Sequence, residues 1–430
     1  MRCLTTIHPA GLMIFVASAT LFFSASPVVA IQNQASEKRL VVQSTRSPVI
    51  ELRAFLDRPK SDRAELATQP FAQVPLTKKQ AAVAKELLWN DYVKRERGER
   101  AAELKSSEVK IGDLRMPFVY QIFGRKPASG RSLYISMHGG GGAPKPVNDQ
   151  QWENQKRLYR LNEGVYLVPR APTDSWNLWH QAHVDQFFAR LIEDMILLED
   201  VDPNRVYIMG YSAGGDGVYQ LAPRMADQLA AASMMAGHPN ETSPLGLRNL
   251  PFTIHMGALD SGYDRNKKAK EWEAKLSDLH RQDPDGYIYQ VTLHQGKGHW
   301  MDRQDAVALD WMAKYTRQAF PKRIVWKQDD VVHPRFYWLA VDPQQISARA
   351  EVRANLEGQQ VTLTTTDAKQ ITVRFNDSMV NLDQPVVVKS EDRELFRGRI
   401  PRTIATLAKT LSERRDPTSL FSGEVTLDLE

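Results

Sequence analysis

The residues Val206-Tyr207-Ile208-Met209 run straight into Gly210-Tyr211-Ser212-Ala213-Gly214-Gly215. A short apolar run ending on G-x-S-x-G reads as a buried strand, a sharp turn carrying serine, and a helix. That order narrows the fold sharply, because a strand apolar on both faces needs cover on both faces of its sheet. The small residues Ala213 and Gly214 let the chain fold back tightly enough to hold the Ser212 side chain exposed. A hydroxyl held in this way becomes a nucleophile when a base takes its proton.

The rest of the chain supplies the cover. Candidate strands are Phe118–Phe123, Leu133–Met137, Val165–Val168, Val206–Met209, Ala230–Met235, Phe252–Met256 and Tyr287–Leu293. Helical stretches alternate with them, notably His183–Leu198, Lys267–His280 and Ala306–Arg317. The alternation predicts an α/β, doubly wound, mostly parallel sheet over residues 112–320, with its active site at the carboxyl ends of the strands. Before it, residues 31–111 read as a linker or loosely packed arm with four prolines up to Pro75, followed by a helix. Thr77-Lys78-Lys79-Gln80 has the form of a capping box, and the helix is expected to reach about Leu104, with Gly98 the point where it could break. After Pro321 short β-branched runs separated by turn residues predict a smaller β-rich domain over 321–430, closed by a helix near Thr403–Arg414 and a strand at Gly423–Leu429.

The first 30 residues carry a different signal. Arg2 precedes an uncharged apolar stretch from Gly11 to Phe23, and Val28-Val29-Ala30 has the form of a cleavage site. The stretch is short for a bilayer span, so a removed export signal is the expectation and an uncleaved anchor the alternative. Export would place the protein outside the cell or in the periplasm. The lone cysteine, Cys3, would leave with the signal, removing disulfide and thiolate chemistry from the mature chain. A net charge of +5 is spread along the chain without an aromatic-interleaved basic stripe, so no nucleic-acid partner is expected.

Four features follow four different strands. Ser212 is the candidate nucleophile. His138-Gly139-Gly140-Gly141-Gly142 follows Leu133–Met137, and an amide at Gly139 or Gly140 could join that of Ala213 in binding an oxyanion. Asp260 follows Phe252–Met256 as the candidate acid, with Asp264 one short turn on as its rival. His299, in Gly298-His299-Trp300, is the candidate base. Ser, Asp, His in that chain order is the order this kind of sheet produces. His138 is expected to shape its loop, and His255 to sit in the core. His180, His183 and Asp185 have loosely metal-like spacing but lack a strong further ligand, so no metal is expected. Trp176, Trp179 and Trp300 either cap the core or wall a substrate crevice, with Trp179 the foremost substrate candidate beside Trp300 and Tyr211.

Residues from about 112 to 320 resemble the α/β-hydrolase superfamily. Val201-Asp202-Pro203-Asn204-Arg205-Val206-Tyr207 leading into Gly210–Gly215 is similar to secreted polyhydroxybutyrate-depolymerase-like and feruloyl-esterase-like enzymes. The resemblance implies a carboxylic ester hydrolase with the triad Ser212, Asp260 and His299, no cofactor, and a small or polymeric ester as substrate. The β-rich C-terminus would then be the place for carbohydrate or polymer contact. Two rivals stand beside this reading: a serine peptidase of the prolyl-oligopeptidase type, and a binding protein that keeps the fold only as scaffold.

Overall fold

The structure, a computed structural model, describes residues 46–365 and 367–429; the expected export signal, Cys3 and the linker up to residue 45 lie outside the described residues. The alternation of apolar runs folds into one eight-stranded sheet. Its strands are β1 (Glu108–Ile111), β2 (Leu114–Phe123), β3 (Arg131–Met137), β4 (Gly164–Pro169), β5 (Val201–Tyr211), β6 (Ala231–Met235), β7 (Phe252–Gly257) and β8 (Tyr289–His294). Their spatial order is β1-β2-β4-β3-β5-β6-β7-β8. The β1–β2 hairpin and the β2–β4 pair are antiparallel, and every other pair is parallel.

Eight α-helices accompany the strands: α1 (Pro48–Leu56), α2 (Lys78–Ser106), α3 (Lys145–Gln155), α4 (Ala182–Leu198), α5 (Ala213–Arg224), α6 (Arg265–Gln282), α7 (Val307–Met312) and α8 (Ile404–Arg414) among the described residues. The period of two along each strand divides its side chains between two helical layers. Leu133, Ile135, Met137, Val206 and Ile208 face a core shared with α4, α5 and α6. Tyr134, Tyr207 and Met209 face a second core with α3 and α7. Ile208 and Met209 are fully buried on opposite faces, and each such side chain contributes about 1.5–3 kcal/mol of hydrophobic stabilisation.

The arm before the sheet is better packed than its prolines and charges suggest. Leu52, Ala72, Leu76, Ala81, Ala84 and Leu88 form a cluster with Ile404, Leu407 and Leu411 of α8. Thr77 and Gln80 make the reciprocal capping box that starts α2. The helix does not break at Gly98. It continues unbroken to Ser106, where Ser107 in the left-handed region ends it. A Cβ built on Gly98 meets nothing within 4 Å. Gly98→Ala should therefore stabilise the protein by about 0.5–1 kcal/mol, through the lower backbone entropy of alanine in the unfolded chain, read as a higher urea midpoint at unchanged slope.

The C-terminal part is β-rich as expected, but it is not a separate accessory domain. Its strands are β9 (Arg323–Lys327), β10 (Arg335–Phe336), β11 (Leu339–Ala340), β12 (Glu351–Glu357), β13 (Gln360–Thr365), β14 (Gln370–Phe375), β15 (Val386–Ser390), β16 (Arg393–Gly398) and β17 (Gly423–Asp428). They form a sheet β16-β15-β13-β12-β9 and a sheet β10-β11-β14-β17. Trp326, Phe336, Tyr337 and Trp338 are buried in the same core as α4, α5 and α6. Tyr337 Oη donates to Ala226 O at 3.0 Å, and Arg317 joins Asn204 Oδ1 at 2.9 Å to Asp416 Oδ2 at 2.6 Å. A shared core with buried polar ties makes residues from Arg46 onward one unit.

Candidate active site

Ser212 sits between β5 and α5 with φ 58° and ψ −120°, a strained conformation for a residue with a Cβ. Close packing holds it there. A Cβ on Gly210 would lie 2.2 Å from Gly214 O, and one on Gly214 would lie 2.2 Å from Met137 O, so neither position admits a side chain. Ser212 N–H donates to Met235 O at 2.9 Å, and Ser212 O accepts from Asp216 N–H at 3.0 Å. The turn is thereby tied to β6 on one side and to its own helix on the other.

Two loops bring the other groups to it. The loop after β7 carries Asp260 and the loop after β8 carries His299. They are stitched together by Leu259 N–H to Lys297 O at 2.8 Å and Ala258 N–H to His294 O at 3.0 Å. His299 Nδ1 lies 2.7 Å from Asp260 Oδ2, and His299 Nε2 lies 2.9 Å from Ser212 Oγ. A carboxylate only accepts, so Nδ1 carries the imidazole proton and Nε2 is left to accept from the serine hydroxyl. Asp260 is 4% exposed, whereas His299 is open to solvent on its serine side. Asp264 does not take part; it is exposed and bonded to Lys267 at 2.7 Å. A mostly parallel sheet in this strand order, with a serine on a strained strand-to-helix turn and a histidine and aspartate from later strand ends, settles the architecture. The fold is that of the α/β-hydrolases.

In this hydrolase fold the glycine loop after β3 lies against the serine. A Cβ on Gly139 would stand 3.2 Å from Ser212 Cβ. Gly141 N–H is committed to Asn148 Oδ1 at 2.8 Å, and Asn148 Nδ2 donates to Ala143 O and Asp174 Oδ1, both at 2.9 Å. Asn148 is fully buried and props the loop so that Gly139 and Gly140 line the cleft in front of Ser212. Nothing in the sequence marks Asn148, since its contacts exist only once α3 is packed under the loop.

His138 holds the same loop from within. Its Nε2 accepts from Ala171 N–H at 3.1 Å, so Nδ1 is the donor to Gly139 O at 2.6 Å. Burial pushes its pKa down to about 4 from 6.5. The unfolded chain therefore takes up a proton between pH 6.5 and about 4 that the folded chain does not, and the stability due to neutral His138 falls with pH across that window. The unfolding free-energy gap between wild type and His138→Gln should narrow by about 3 kcal/mol from pH 7 to pH 4, measured by urea denaturation.

The aromatic candidates separate. Trp179 is not a substrate contact: it is fully buried, and its Nε1–H donates to His138 O at 2.9 Å, which makes it a strut for the glycine loop. Trp300 is 50% exposed and lines the cleft. Tyr211 also lines it, but its hydroxyl donates to His299 O at 2.6 Å and accepts from Met301 N–H at 3.1 Å, clamping the histidine loop. Trp176 is exposed and packs edge-on to His180 at 5.5 Å. Asp185 pairs with Arg224 at 2.6 Å and His333 at 2.7 Å rather than with His180 or His183. His255 is a core histidine between Thr253 and His294, each at 3.2 Å.

No family model matches the chain, and no curated protein matches it. Among solved structures, a thermostable esterase aligns at 16% identity over 49% of this chain and 62% of that one, with TM-score 0.39. The fluorophosphonate-binding serine hydrolase F of Staphylococcus aureus aligns at 13% identity over 48% of this chain and 96% of that one, with TM-score 0.36. A ferulic acid esterase aligns at 14% identity over 48% and 95%, with TM-score 0.32. The chain thus spans under two thirds of the length of the thermostable esterase and nearly all of the other two.

Proposed function

We propose that the protein is a serine hydrolase of carboxylic esters. The observation that supports this is the continuous chain from Ser212 Oγ through His299 to Asp260, at 2.9 and 2.7 Å, opening on a solvent-accessible cleft. His299 Nε2 takes the hydroxyl proton as Ser212 Oγ attacks the ester carbonyl, and Asp260 orients the ring and stabilises its charged form. The amides of Ala213 and of Gly139 or Gly140 receive the tetrahedral oxyanion. His299 then gives its proton to the leaving alcohol, and water, deprotonated by the same nitrogen, releases the acyl group from Ser212. Steady turnover of p-nitrophenyl acetate and butyrate, with no cleavage of a peptide library, is the expected result. Peptide cleavage in preference to the esters would overturn it. Removal of residues 1–30 on export belongs to the same proposal, and an exported protein whose intact mass does not start at Ile31 would contradict that part.

A further inference from the structure

The cleft in front of Ser212 carries a charge imbalance that hydrolysis of a neutral ester does not need. It encloses about 740 Å³, with Val147, Leu158 and Trp300 as apolar wall. Its charged lining is Arg157 and Arg303, with no Asp or Glu beside them in the lining. Among the described residues neither guanidinium has a hydrogen bond, ion pair or ring contact.

The chain's buried arginines end on acids, whereas exposed ones such as Arg53 and Arg125 stand without such a partner, as the two cleft arginines do. Arg170 ends on Asp149 at 3.0 Å, Arg224 on Asp185 at 2.6 Å, Arg248 on Asp283 at 2.6 Å and Arg402 on Asp377 at 2.6 Å. Acids close in sequence to the two cleft arginines are taken by other groups, Asp305 by the Tyr159 hydroxyl and two more by lysines. Glu153 binds Lys156 at 2.5 Å, and Asp302 binds Lys297 at 2.6 Å. Both arginines also stand on firmly held backbone. Arg157 N–H donates to Asn154 O at 3.2 Å just past α3, next to Gln155, which is fixed to Ser136 at 2.7 Å. Arg303 O accepts from Ala306 N–H at 3.1 Å, two residues after the buried Met301 that Tyr211 clamps.

Two guanidinium groups from two different elements, with free donor edges and no competing acid, suit a carboxylate, which accepts from planar N–H pairs. The apolar wall suits a hydrocarbon arm between that carboxylate and the reacting ester. We infer that the esters taken by this site carry a carboxylate at the end of a short apolar arm, received by Arg157 and Arg303. The inference rests on the ester-hydrolase reading. Cleavage of such a half-ester by water yields an alcohol and a dicarboxylate.

Monomethyl adipate and methyl hexanoate test it, being alike in arm length and unlike in charge. At low salt the wild-type protein should show kcat/KM at least about tenfold higher for the half-ester, and the preference should shrink as salt screens it. In the Arg157→Gln/Arg303→Gln double variant the ratio of the two values should fall to about one. A wild-type ratio at or below one, or a preference that survives in the double variant, overturns the inference while the esterase reading stands. If neither methyl ester turns over, the esterase reading is decided by the p-nitrophenyl esters, and calorimetry of the same pair decides the anion site: tighter binding of the half-ester that is lost in the double variant supports it, and equal binding overturns it.

Discussion

Ser212→Ala should lower kcat on a short p-nitrophenyl ester by about five to six orders of magnitude, with little change in KM. The variant removes the one atom that His299 Nε2 faces at 2.9 Å and leaves the imidazole and Asp260 with nothing to activate. The fold should be unaffected, since alanine carries the same Cβ into the strained turn at φ 58° and the Ser212 hydroxyl makes no capping bond to α5. Residual rate above water would come from the oxyanion amides and binding alone. Stopped-flow and steady-state assays, with circular dichroism to confirm folding, separate loss of chemistry from loss of structure. A loss smaller than tenfold would place the nucleophile elsewhere.

Asp260→Asn carries the second large effect, a fall in kcat of about 10⁴-fold. Asparagine can offer N–H to His299 Nδ1, which puts the imidazole proton on Nε2 and leaves no lone pair for the serine hydroxyl. It also loses the charge that stabilises the imidazolium. The burial of Asp260 sharpens this, because water has little access to substitute for the lost carboxylate. Asp264→Asn is the matched control. Its exposed carboxylate serves Lys267 at 2.7 Å, and its loss should leave kcat within about twofold. Equal losses in the two variants would mean that the acid loop works as a unit and that the 2.7 Å contact between Asp260 and His299 is not the decisive one.

What could be read from the sequence was what local chemistry enforces. The strand into Ser212, the glycines around it, and the acid and base after later strands each have a short-range signature, and the parallel sheet brings their ends together. Within the site, the choice between Asp260 and Asp264 needed tertiary structure. So did Asn148, which holds Gly141 from an apolar-poor helix with no distinguishing pattern. Trp179 had the composition of a pocket wall, yet its indole N–H found a backbone carbonyl inside the core. Long-range ties also overrode local pattern elsewhere. The helix expected over Ala306–Arg317 stops at Met312, and Arg317 instead gives its N–H to Asn204 O at 2.9 Å. Among the short runs after Pro321, β10 and β11 are separate strands because Tyr337, at φ 50°, turns the chain between them. The strand β16, Arg393–Gly398, is too charged to show a strand pattern and is held by its pairing with β15.

Whether Ser212 is the nucleophile shows in where a fluorophosphonate becomes attached. Reaction with the mature protein followed by peptide mass spectrometry should find one phosphonyl group per chain, on Ser212, formed quickly in wild type and at least about a thousandfold more slowly in His299→Ala. No adduct, an adduct on a different serine, or labelling of Ser212 that is indifferent to the loss of His299 would contradict the account.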